Sequence, residues 1–185
     1  GTVARGLWAK RTERTHFGQR VPSRQLRIDD AFFTGLNAAG LRQVQKDVTL
    51  VTNEMAIAGL PAGLKLTKQL VDRGKERYGI FCVPCHALDG SGNGTVPQRA
   101  GPSYGGVPSY HGPTKLFKDK DVRQHRLGYI YHIITHGRGR MGAYAAQISP
   151  ADRWAIAVWV RALQLSQSAK LSDVPANVRA QKGWK

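Results

Sequence analysis

The chain is predicted to be all-α, with three main helices between a long irregular N-terminal arm and a short C-terminal tail. Three observations support this. Apolar residues recur every three or four positions in three separate stretches. Those stretches start or stop on strong helix signals: Thr67 before the first, Gly137 after the second, Ser149-Pro150-Ala151-Asp152 opening the third. The segments between them are punctuated by glycine and proline, and no run of buried β-strand precedes Cys82.

Residues 1–65 form the arm. Arg5, Lys10, Arg11, Arg14, Arg20, Arg24 and Arg27 make its first part basic, and a sparsely charged stretch follows from Ala31 to Leu64. Periodicity is weak, so no independent core is expected here. Trp8, Phe17, Phe32 and Phe33 argue against a solvated tail. The arm is therefore expected to lie along something else, as a basic extension for subunit contacts.

Residues 66–166 are expected to hold the chemistry. Thr67 caps a first helix whose stripe is Leu70, Val71, Gly74, Tyr78 and Phe81, and this helix delivers Cys82. Ala87 to Tyr110 is loop. A second helix over 122–136 places Leu127, Ile130, Tyr131 and Ile134 on one face and stops at Gly137. The third helix has its body from Arg153 to Leu165, with Ile156, Trp159 and Leu163 on one stripe. Residues 167–185 return to a polar, basic tail.

The string Cys82-Val83-Pro84-Cys85-His86 contains both cysteines of the chain. Two thiols three residues apart, followed at once by an imidazole, form the attachment site of a c-type haem. A short helical turn brings the thiols to the two vinyl groups on one porphyrin edge, and the next residue reaches the iron. Cys82 and Cys85 are thus the thioether candidates and His86 the proximal ligand. A structural zinc site wants four ligands, and no second cysteine pair completes one. A thioredoxin-like dithiol wants a βαβ setting that is lacking.

For the sixth ligand the residues leave two candidates. Met141 sits in a Gly-rich loop among Arg138, Gly139, Arg140 and Gly142, on no apolar face, whereas Met55 lies upstream in the arm. His/Met ligation raises the potential and suits electron transfer. His136, five residues before Met141, is the rival, and bis-His ligation lowers the potential.

Charge is the other prominent feature, 28 Lys and Arg against 12 Asp and Glu, for a net charge of +16. That balance raises nucleic acid, an anionic membrane surface or an acidic protein as partners. No nucleic-acid recognition motif is present, and no stretch reaches the length of a membrane span. The chain begins at Gly1 rather than Met, as expected after removal of a signal or beside an unseen anchor. Attachment of haem to this motif takes place outside the cytoplasm, so a periplasmic location is expected.

Taken together, these residues resemble a class I mono-haem cytochrome c, with its order of helix, CxxCH, Gly/Pro loop, distal-side helix, methionine loop and C-terminal aromatic helix. The resemblance implies a crossing of the first and last helices near Gly74 and Tyr78 with Ile156, Trp159 and Leu163. It implies a proline carbonyl, from Pro102 or alternatively Pro97, that holds the proximal His ring N–H. It also implies haem contacts from Tyr78 and Ile134, and propionate contacts from Arg140, Tyr144 and Trp154.

The match narrows over His132-Ile133-Ile134-Thr135, Met141, Tyr144-Ala145-Ala146-Gln147-Ile148, Asp152-Arg153-Trp154-Ala155-Ile156 and Arg161-Ala162-Leu163-Gln164-Leu165-Ser166. There the chain is similar to the mono-haem cytochrome subunit of bacterial alternative complex III. Two positions depart from the pattern: Ala87 stands where glycine is usual, and Gly142 follows Met141 where proline is usual.

What this implies is an electron-transfer subunit with one covalent haem c and no bond chemistry of its own. Its partners are expected to be a multi-haem cytochrome, iron–sulfur and integral membrane subunits of a quinol-oxidising complex, plus an acidic electron acceptor. Its place is expected at the periplasmic face of the inner membrane. Two alternatives stay open: a freely diffusing cytochrome c, and a haem enzyme or sensor with an open distal site.

Overall fold

The computed structural model describes residues 8–14 and 20–26 as backbone, and 31–113 and 121–184. Expectations that rest on Arg5, His16, Phe17 and Arg27, and on the side chains from Trp8 to Arg14 and Arg20 to Leu26, lie outside what is described.

The helical class is as expected, with one addition in the arm. Strands β1 (Trp8–Arg14) and β2 (Arg20–Leu26) pair antiparallel, Trp8 opposite Leu26 and Arg14 opposite Arg20. The arm is thus not irregular throughout. Frequent Arg and Lys interrupt the apolar alternation by which a strand is recognised, so the ladder left little trace in the sequence. Elsewhere the described regular elements are helical: α1 (Ala31–Thr34), α2 (Ala38–Lys46), α3 (Lys68–Phe81), α4 (Val83–His86), α5 (Thr95–Ala100), α6 (Leu127–His136), α7 (Pro150–Ser166) and α8 (Ala176–Lys182), with short 3-10 turns between.

The chain divides into two compact units, residues 1–82 with 124–159, and residues 83–123 with 160–185. In the first, α3 starts where Thr67 Oγ1 accepts the Leu70 N–H at 3.2 Å. The start of α7 crosses α3 at Gly74. A Cβ there would lie 2.0 Å from the Ala155 carbonyl oxygen and 3.0 Å from Trp159 Cβ, so only glycine permits this approach. Asp152, in the first turn of α7, ties the crossing to α3 by accepting from Arg73 Nε at 2.7 Å. Ser149 caps α7, its Oγ accepting the Asp152 N–H at 3.2 Å.

Residues 31–58 are packed onto α6 and α7. Leu36, Val51, Ala56 and Tyr129 form a buried cluster, with Leu41, Val44, Met55 and Ile133 against it. The Trp154 indole donates to the Phe32 carbonyl at 2.7 Å and the Tyr131 hydroxyl to the Phe33 carbonyl at 3.1 Å. The Gly128 N–H reaches the Ile57 carbonyl, and a Cβ at Gly128 would lie 2.1 Å from the Gly35 oxygen. Asn37 secures α2 by accepting from the Ala39 and Gly40 amides. Helix α6 begins at Leu127 rather than 122. Arg126 is extended, its amide bonded to Asn53 Oδ1 and its guanidinium to the Glu54 and Ala56 carbonyls. It ends at Gly137 with φ +77 and ψ 173, a positive-φ stop with an extended rather than helical ψ.

In the second unit, Val122, Val160 and Leu163 are buried, and Gln164 Nε2 donates to the Val122 carbonyl at 3.3 Å. The expected loop 87–110 contains α5 and a 3-10 turn at Pro102–Tyr104. The tail contains α8, which is too short to show a stripe in sequence and closes on Gly183 in the left-handed conformation.

Candidate functional site

The cysteine–histidine string sits at a helix end followed by one tight turn. Cys82 ends α3, its amide bonded to the Tyr78 carbonyl at 2.9 Å, and α4 runs from Val83 to His86. The next residue turns sharply. Ala87 has φ +62, the only positive value among described residues other than glycine. That conformation costs an L-residue about 1–2 kcal/mol, which explains why glycine is the usual residue here. The turn is held by the Gly92 amide on the His86 carbonyl at 3.0 Å and the Gly94 amide on the Cys85 carbonyl at 3.2 Å. A Cβ at Gly94 would lie 2.4 Å from the Pro84 oxygen.

Both cysteines are free thiols and half-buried. The His86 ring stacks on Tyr110 at 4.9 Å with planes 20° apart, and Tyr110 is fixed by its amide on the Gly90 carbonyl. Burial pushes the His86 pKa down to about 4, so the imidazole is neutral and keeps a lone pair for a metal. Its Nδ1 is buried without a hydrogen-bond partner.

In the other unit, Met141 closes a tight hairpin. Its amide and carbonyl exchange 3.0 Å hydrogen bonds with Arg138 across Gly139-Arg140, and Gly139 has φ +57. The Tyr144 amide bonds the Ile134 carbonyl at 3.0 Å, and the Tyr144 ring meets Phe81 edge-on at 6.3 Å. These backbone bonds hold the methionine loop on both sides of Met141. Tyr78 is 1% exposed and Ile134 5%.

Residues 69–160 match the family model described as cytochrome c oxidase, cbb3-type, subunit III. This segment is a cytochrome c domain. A cytochrome c domain implies covalent haem and haem-based electron transfer, and the CxxCH residues fit that group: two thiols outside any disulfide and a neutral imidazole with a buried, unpartnered ring nitrogen. Among solved structures, a chain of the Kuenenia stuttgartiensis reducing HAO-like protein complex is 24% identical, with a TM-score of 0.38 over 59% of this chain and 49% of that one. Cytochrome cL from Hyphomicrobium denitrificans is 16% identical, with a TM-score of 0.39 over 95% of this chain and 92% of that one. This chain thus spans about half the length of the first. No curated protein sequence matches it.

Two expected contacts in the cytochrome c domain take another form in this structure. The bond from His86 to a proline carbonyl is not made: Pro102 is exposed at the start of a 3-10 turn and its carbonyl accepts the Gly105 amide, while that of Pro97 accepts the Gly101 amide. Trp154 is fully buried, stacks on Tyr131 at 4.4 Å, and uses its N–H on the Phe32 carbonyl, so it has no donor left for a propionate. His136 lies on the side of α6 opposite Ile134, because two residues turn a helix by about 200°. Its ring meets that of His132 at 4.6 Å. Met55 is packed in the cluster of Leu36 and Tyr129. Arg140 is exposed on the methionine hairpin.

Sequence reasoning missed Tyr110, hidden in a Gly/Pro loop, and Arg153. Arg153 is 0% exposed, donates through Nη1 to Thr135 Oγ1 at 2.5 Å and lies 4.9 Å over the Tyr131 ring. Its Nε and Nη2 are buried without partners, and burial lowers its pKa. An arginine followed directly by the apolar run Trp154-Ala155-Ile156-Ala157-Val158 was the available signal.

Proposed function

We propose that this chain is an electron-transfer subunit with one covalent haem c. It passes electrons from a quinol-oxidising membrane complex of the alternative complex III type to an acidic periplasmic acceptor. The observation that supports this most is the coincidence of the cytochrome c domain with the only two cysteines of the chain, in CxxCH spacing. Each thiol would add across one vinyl double bond, sulfur to one carbon and its proton to the other, with no net redox change. His86 and Met141 would ligate the iron, and the bound haem would supply reversible one-electron exchange. The orientation of His136 away from Ile134 favours Met141 over it. Tyr78, Ile134 and Tyr144 would line the ring. Arg140 on the surface and Arg153 with its two unpaired donors are the propionate candidates, because a buried guanidinium without an anion is costly.

Attachment to a larger assembly is supported by the first part of the arm. The segment that forms β1 and β2 is rich in Arg and Lys. A two-stranded ladder is marginal alone, so an acidic neighbour would stabilise this one. Residues 31–58, packed onto α6 and α7, serve the haem domain itself; residues 167–185 add a second basic contact. No described helix is long and apolar enough to cross a membrane, so membrane association would run through such neighbours or an anchor.

Haem staining of a native gel of mild-detergent membrane extract, with mass spectrometry of the band, tests this reading. Co-migration with a multi-haem cytochrome, an iron–sulfur protein and polytopic subunits is expected. Migration alone in the soluble fraction would make the chain a mobile carrier instead.

A further inference from the structure

The side of α6 turned away from Ile134 holds rings at positions 129, 132 and 136, and His125, just before the helix, continues the column. His125 meets Tyr129 at 5.0 Å, Tyr129 meets His132 at 6.4 Å, and His132 meets His136 at 4.6 Å. The last pair is spaced i, i+4 in the final turn of the helix, so both imidazoles lie on one face. His132 is 5% exposed, and its Nδ1 is buried with no hydrogen-bond partner. The Val48 backbone lies close enough to the ring to favour its protonated form slightly. A buried ring nitrogen without a partner, beside a second imidazole, is a donor left over for a metal.

The geometry points to a binding site for a late first-row divalent cation between His132 and His136, apart from the haem ligands. An imidazole bound through nitrogen places its ring centre about 3.2 Å from the ion. Two ring centres 4.6 Å apart then subtend about 90° at the ion, the cis angle of tetragonal Ni(II) or Cu(II). The helix C-terminus contributes negative dipole to a cation held there. Both rings are neutral near pH 7: burial, then the neighbouring His136, pushes His132 down to about 3, and crowding by protein, then the Arg153 charge, pushes His136 down to about 4 although part of its surface stays exposed. The Arg153 charge opposes any dication, so the site favours ions that bind imidazole strongly over Mg2+ or Ca2+. Among the described residues no group of three His, Cys, Asp or Glu gathers, so solvent completes the shell and the ion exchanges. The nearby cleft lined by Thr49, Leu50, Tyr129, His132 and Arg138 gives a route to this face.

The test is calorimetric titration of the full-length ferric haem protein with Ni2+. One equivalent is expected to bind, with affinity lowered by more than about tenfold in His136→Gln and in His132→Gln and unchanged in His111→Gln. His136 is exposed, so its variant keeps the fold, which the unchanged haem spectrum verifies. Failure of the wild type to bind Ni2+, or equal binding by His136→Gln, would overturn the site. So would an altered ferric haem spectrum in His136→Gln, which would put His136 on the iron.

Discussion

Replacing both Cys82 and Cys85 by serine is expected to abolish covalent haem. The mature chain should lose the mass of one haem, and denaturing gels should lose their haem stain. The chain has no other thiol to substitute. The cause is local geometry: α4 and the Ala87 turn hold the string in one conformation, at a local cost of about 1–2 kcal/mol at Ala87. His86→Ala keeps both thiols and should separate attachment from ligation, giving a stained chain with a high-spin or ligand-exchanged spectrum. Haem stain that survives in the double serine variant would refute the assignment of both cysteines.

Gly74→Ala is expected to have the largest effect on stability. Alanine gains about 1 kcal/mol of helix propensity over glycine in a helix interior. Here the added methyl would meet the Ala155 carbonyl carbon at 2.7 Å and its oxygen closer still, and backbone cannot rotate away as a side chain could. Overpacking costs typically about 1–3 kcal/mol and more against backbone, so the clash wins. With the propensity gain subtracted, a net loss of about 2 kcal/mol lowers Tm by roughly 4–8 °C for a chain of this size. Gly79→Ala is the internal control. It lies in the same helix with nothing within 4 Å of its Cβ, so it should raise Tm by a few degrees, about 1 kcal/mol. Thermal melts of the two haem-loaded variants should therefore move in opposite directions. Equal shifts would mean that the α3–α7 crossing does not hold the fold.

The helices were legible where the sequence holds local signals. Thr67, Ser149-Pro150 and Gly137 act within a few residues of themselves, and the structure uses each of them. What was illegible depends on contacts far along the chain. The start of α6 is set by Asn53, Glu54 and Ala56 holding Arg126, some seventy residues away. The stripe in residues 31–58 is short, little more than Leu41 and Val44 on α2, and its core partners Tyr129 and Ile133 lie far along the chain. The family resemblance pointed Trp154 at a propionate, and only the packing of Phe32 shows that its indole N–H is used there. The cysteine–histidine string was fully legible, because its chemistry resides in five consecutive residues.

The absorption spectrum of the ferric protein, recorded for wild type and Met141→Leu, tests the His86/Met141 haem most directly. A thioether-to-iron charge-transfer band is expected in the wild type and absent in Met141→Leu, which preserves volume but removes the sulfur. With it should go the raised potential that a thioether ligand gives. A wild-type spectrum without this band, or one that keeps it after the substitution, would contradict the account.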